Sequence, residues 1–211
     1  MHEISDDSFA AFKRLAAADP QTNLMVRRMT ADTVDKFLDV LNEDLDQLIQ
    51  SIQERKQIYC DAEEDVISMA IVDLLKQRQY YAEHDPKIGG HVDILVRGRD
   101  PKFLWLGEAK RDYGPKWLEE GMEQLSNRYA DGSAGRDYGG MLVYIQGMKA
   151  AQIFKNWREA LAASTQFEDL QVTDCTRNMH AAFNSTHTHN TSGLPYHVRH
   201  MAVGLYHKPT K

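Results

Sequence analysis

Asp93, Glu108 and Lys110 are the residues whose types and spacing could do chemistry. Asp93 lies in HVDILV (91–96), where strand alternation puts Val92, Ile94 and Val96 on one side and Asp93 with Leu95 on the other. A carboxylate inside an apolar strand costs several kcal/mol if it is buried alone, so it needs a partner or a metal. Glu108 and Lys110 end the apolar run FLWLGEAK (103–110) and, two apart, share one face. If the two runs pair as a hairpin, the start of one lies opposite the end of the other, and the three residues converge. Two carboxylates suit a hard cation such as Mg2+ or Mn2+, which prefers oxygen ligands and keeps several waters. Such an ion polarises a phosphodiester and acidifies a bound water. Lys110 would position or help deprotonate that water, or offset the negative charge that builds at phosphorus. The plainer alternative is a buried Asp93–Lys110 ion pair, with Glu108 and Glu63 solvated at element ends.

The elements that must position these residues are readable from periodicity. Residues 5–18 form a short amphipathic helix that Asp19-Pro20 ends. A longer helix starts near Thr30 or Asp32, with Val34, Leu38, Leu41, Leu45, Leu48 and Ile52 in alternating steps of four and three. That seam fits either a homodimer contact through the 30–55 helix or packing on the chain's own domain. A third helix covers 61–77. Strands are expected at 79–84, 91–97 and 103–110, then a helix at 116–130, a strand at 141–146, a helix at 149–164, and strands at 171–175 and 197–206. Residues 180–193 are polar and read as a loop. The order implies an α/β fold: a central mixed sheet flanked by helices, with an antiparallel meander before a parallel crossover and an N-terminal helical extension. We expect a helical segment at 1–58 and a catalytic domain at 59–211.

On these residues the chain resembles the PD-(D/E)xK, or restriction-endonuclease-like, nuclease superfamily. Asp93 matches the family's metal-binding aspartate, and Glu108-Ala109-Lys110 matches its ExK. Val92 stands where proline is usual. Many members, Holliday-junction resolvases among them, carry an Ala-Glu before apolar residues three, four, seven and eight positions on. Ala62-Glu63 is followed by Val66, Ile67, Ala70 and Ile71 at those offsets, which makes Glu63 the better candidate for a third acid and Glu64 the second. Downstream the family often adds an active-site Gln or a basic residue from the next helix. Gln124 and Arg128 are four apart on one face. Exonuclease members place a Gln and a Tyr four apart there; Gln124 and Tyr129 are five apart, so the resemblance carries only Gln124. It implies a catalytic set of Asp93, Glu108, Lys110, Glu63 and Gln124, with Asp93, Glu108 and Glu63 holding Mg2+ or Mn2+. It implies a restriction-endonuclease-like core and nucleic acid as partner, DNA before RNA, cut as an endonuclease in defence or DNA processing. The other reading is a non-catalytic interaction module that kept the fold.

A second group lies near the C-terminus. His187 and His189 form an H-x-H pair, His197 and His200 an H-x2-H pair. Zinc accepts such ligands. A nucleic-acid-facing role for His197, Arg199 and His200, or simple surface histidines, are the other readings. Lys110, Arg111, Lys116, Arg128 and Arg136 could form a local basic rim. Trp105 and Trp117 read as core. Composition is that of a globular protein, 42% hydrophobic and 27% charged. The net charge of -6 gives no support for nucleic-acid binding through overall charge and does not exclude it, since a local basic rim is enough to receive phosphate. No run is apolar for about 18 residues, so no membrane span is expected. The N-terminus does not read as a signal peptide, and Cys60 and Cys175 fit free thiols in the cytoplasm.

Overall fold

The computed structural model describes residues 6–87 and 90–208. Local capping sets the N-terminal helices. After α1 (Asp6–Ala16), Asp19 accepts the Thr22 backbone N–H at 2.7 Å and Pro20 takes the first helical position, so Asp19-Pro20 starts a second helix, α2 (Pro20–Thr30), which was not expected. Thr33, rather than Thr30 or Asp32, caps α3 (Val34–Glu54). The short α4 (Lys56–Tyr59) and α5 (Glu64–Gln77) follow.

The apolar runs then fold as expected. β1 (Tyr81–His84), β2 (Ile94–Arg97) and β3 (Leu104–Arg111) form an antiparallel meander. α6 (Pro115–Glu123) and a π-helical turn (Gln124–Tyr129) cross over to β4 (Tyr138–Ile145), which runs parallel to β3. After α7 (Ala150–Ala162) come β5 (Gln171–Asp174), β6 (Ala182–Thr188) and β7 (Pro195–Gly204). The result is an α/β fold around a seven-stranded mixed sheet, ordered β1-β2-β3-β4-β7-β6-β5. β6 replaces the loop expected at 180–193. Its Phe183, Ser185 and His187 alternate inward, and the polar members of that row hid the period.

Each face of the sheet carries a core. On one side α3 and α5 cover Trp105, Ala109, Leu142, Tyr144 and Val203. On the other α6 and α7 cover Leu106, Met141, Val143 and Phe183. Leu38, Leu41, Leu45, Leu48 and Ile52 of the α3 seam are all buried in the first core, with Val34 packed at its edge. Of the two readings of the 30–55 helix, its seam therefore follows the second and packs on the chain's own sheet. For the same reason residue 58 does not separate two cores. Charges fasten α2 to α3. Asp44, fully buried, accepts from Arg28 at 2.9 Å, from Arg78, and from the Tyr80 hydroxyl at 2.7 Å. Paired and hydrogen-bonded in this way, a buried carboxylate is tolerated.

Candidate active site

β3 brings the first residues together. Alternation turns Trp105, Gly107 and Ala109 toward α3 and α5, and Glu108 and Lys110 toward α6. Asp93 lies one residue before β2, not within it, and the register that pairs Ile94 with Gly107 sets it beside Glu108. There Asp93 Oδ2 accepts the backbone N–H of Ala109 at 2.7 Å. Glu108 is 1% exposed; its Oε1 is 2.6 Å from Lys110 Nζ, and its Oε2 is buried with no hydrogen-bond partner. An unpartnered buried carboxylate oxygen is costly, and such atoms are rare in native proteins.

The α5 acid that reaches this cluster is Glu64. As the first residue of α5, Glu64 places Oε1 3.9 Å from Lys110 Nζ and Oε2 2.7 Å from the Arg111 backbone N–H. Glu63, the residue preferred from sequence, points to solvent and pairs with the Arg111 guanidinium at 3.2 Å. Helical offsets give the phase of a helix but not the direction of the residue at its cap, and here the cap is Glu63. One support was missed altogether. The Gln146 side-chain amide donates to the carbonyls of Tyr59 and Ala62 at 2.9 and 2.8 Å, which pins the turn that delivers Glu64.

α6 closes the site from above. A Cβ on Gly121 would meet Lys110 Cγ at 2.7 Å, so only glycine lets the helix pass this close. Gln124, the remaining expected member, is half-buried one turn further on, where the helix loosens into the π turn; no hydrogen bond ties it to the carboxylates. Such turns recur at functional sites. The Arg128 and Tyr129 side chains lie outside what the structure describes. Of the expected basic rim, Lys110 and Arg111 are at the site. Arg136 is not: it pairs with Asp131 at 3.2 Å, just before β4 begins at the far end of the sheet. Trp117, expected in the core, is 40% exposed, with Lys110 Nζ 5.6 Å from its ring centre.

The electrostatics follow from three acids sharing one ammonium. Burial, then the Asp93 charge, pushes Glu108 up to about 8, against the pull of Lys110. Burial also raises Asp93 and Glu64. Burial alone would lower Lys110, but Glu108, Asp93 and Glu64 together hold it above its usual value. Crowded carboxylates with raised pKa values are what a bound cation would relieve.

His187, His189 and His197 lie close enough to influence one another, and His187 and His189 both pack on the Tyr196 ring. His200 is buried between the Trp157 indole N–H at 3.3 Å and the Ser185 hydroxyl at 2.8 Å, stacked on Phe183. Arg199 is buried and grips Asp46 of α3 at 2.7 Å. His200 and Arg199 are thus engaged within the fold, and His197, half-buried, lines a recess beside β6 and β7 together with Arg199. Among the described residues no three His, Cys, Asp or Glu side chains are disposed to grip a metal as they stand. The spacing of the histidines therefore gains no set of three ligands among these residues. At Glu108 the same absence means that a cation would rely on the two carboxylates of Asp93 and Glu108 with waters, a habit that suits Mg2+. The unpartnered Glu108 Oε2 fits that role. Cys60 and Cys175 are free thiols, and no helix among the described residues is long and apolar enough to cross a membrane.

Compared with family models, curated proteins and solved structures, the chain matches none.

Proposed function

We propose that this chain is a Mg2+- or Mn2+-dependent nuclease built on a restriction-endonuclease-like core, acting on DNA before RNA as an endonuclease. The observation that carries the reading is Glu108: buried, with one oxygen unpartnered, crowded by Asp93 and Glu64, and two residues from Lys110. A structural ion pair has no use for a third acid or an orphaned oxygen. When bound, a divalent cation would polarise the scissile phosphate and acidify a water. Asp93 and Glu108 would hold it. Lys110, beside Glu108, would orient the attacking water or stabilise the charged phosphorus centre. Glu64 fixes the Arg111 backbone and keeps the strand end in place.

The contact of 2.6 Å between Lys110 and Glu108 favours a second reading, a non-catalytic module in which this pair is structural. One assay separates the two. Plasmid DNA, single-stranded DNA and RNA are incubated with Mg2+ or Mn2+, beside EDTA and Asp93→Ala controls. The nuclease reading expects metal-dependent nicking that Asp93→Ala abolishes. No cleavage of any substrate with either metal favours the module. A cytoplasmic setting, in defence or in DNA processing, accords with the nuclease reading.

A further inference from the structure

Two aromatic rings stand uncovered beside Lys110 and Arg111. Tyr113 is 65% exposed and Trp117 is 40% exposed, with ring centres 6.2 Å apart in an edge contact. The backbone builds this pair deliberately. β3 ends at Arg111, the Tyr113 N–H closes onto the Arg111 carbonyl at 3.0 Å, and Gly114 at φ 107 makes the left-handed turn that lets Pro115 begin α6. Asp112 secures the turn by accepting the Gly114 N–H at 3.3 Å. A hydrogen-bonded turn therefore presents apolar surface to water instead of folding it inward. Cations back both rings: Arg111 Cζ is 5.4 Å from the Tyr113 centroid and Lys110 Nζ 5.6 Å from that of Trp117. Beyond Tyr113 a recess of about 340 Å³ opens between the start of α6 and Ile153, Asn156 and Trp157 of α7.

We infer that Tyr113 and Trp117 form a stacking platform for unpaired bases, and that the substrate is single-stranded nucleic acid. This rests on reading the adjoining carboxylates as a phosphodiester-cleaving site. Aromatic rings beside cations are how proteins grip single strands, because every unpaired base offers a π face. A duplex hides those faces in its own stack, so it cannot use the platform. The occupant is further constrained by charge. With a net charge of -6 the chain has little long-range pull on a phosphate backbone, and stacking must supply the grip. Lys110 Nζ lies 5.6 Å from the Trp117 ring centre and 2.6 Å from Glu108 Oε1, so a strand stacked on that ring would pass beside the proposed cleavage site.

The test uses the full chain and short DNA and RNA oligonucleotides, single-stranded and as duplexes. Trp105 and Trp157 are each 1% exposed, so fluorescence quenching on binding reports Trp117. In EDTA, single strands should quench and duplexes should not, and Trp117→Phe should remove the signal. Tyr113→Ala should weaken single-strand binding about 5- to 150-fold, the loss of one stacked base. With Mn2+, single strands should be cut faster than duplexes. If duplex and single strand are bound and cut alike and Tyr113→Ala changes neither, the platform is wrong while the nuclease reading stands. If single strands quench Trp117 yet nothing is cut with any metal, the platform stands and the nuclease reading falls. Absence of both binding and quenching overturns the platform outright.

Discussion

His187 should make the fold acid-labile by a predictable amount. It is 3% exposed on β6, packed between Phe167 and Tyr196, and neither ring nitrogen has a hydrogen-bond partner. Burial, with smaller contributions from His189 and His197, lowers it from 6.5 to about 4. Burial lowers His200 to about 3. A depressed basic group binds its proton more readily in the unfolded chain. Its contribution to stability is therefore intact above the unfolded value of 6.5 and is lost as the pH falls below it, until the folded value is reached. Between about pH 7 and about pH 5 each histidine costs about 2 kcal/mol, a large share of a typical 5–15 kcal/mol. The raised carboxyls Glu108, Asp93 and Glu64 work in the opposite direction, because they bind protons more readily when folded. Comparison with a His187→Leu variant cancels them, since both proteins contain them. Urea unfolding followed by far-ultraviolet ellipticity at the two pH values should show the variant losing about 2 kcal/mol less than wild type. At pH 7 it should be as stable or more so, because an unsatisfied polar ring has been exchanged for an apolar side chain. Equal losses in the two proteins would refute the reasoning, as would a variant destabilised by more than about 3 kcal/mol at pH 7, which would mean the ring nitrogens are hydrogen-bonded after all.

Three further outcomes follow from the geometry. Glu64→Ala should lower metal-dependent cleavage at least about tenfold, while Glu63→Ala leaves it within about twofold, since of the two only Glu64 reaches Lys110 and the Arg111 N–H; steady-state rates on one substrate decide it. Gly121→Ala should push Lys110 aside and cut the rate more than it cuts stability, which should fall by about 1–3 kcal/mol as for other overpacked sites; parallel rate and unfolding measurements check the split. Leu45→Asp should unfold the chain rather than change its assembly, because Leu45 is 0% exposed in the α3 core; circular dichroism with sedimentation distinguishes the two.

The sheet was legible because its strands are apolar runs separated by turn residues. Asp93, Glu108 and Lys110 were legible because polar residues at one end of such runs break the pattern. What escaped was held by contacts distant in sequence. α2 has no strong apolar stripe; it is fixed by ion pairs such as Arg27 to Asp39 and Glu43 at 2.7 Å and Arg28 to Asp44. β6 turns Ser185 and His187 inward, and no pattern of apolar residues announces a strand whose buried side is polar. The histidines invited a metal reading from spacing, but His200 was instead absorbed by Trp157 and Ser185 from two other elements. Trp117 looked like core by its type, and only the placement of α6 over Lys110 shows that it stays in water.

The central claim is that Asp93 and Glu108 hold a divalent cation. Crystals of the chain soaked in Mn2+, with anomalous data collected at the manganese edge, test it most directly. The account predicts one peak between Asp93 and Glu108, bound through Glu108 Oε2, with Lys110 turned away from Glu108. A map with no peak there and Lys110 still paired to Glu108 would contradict it.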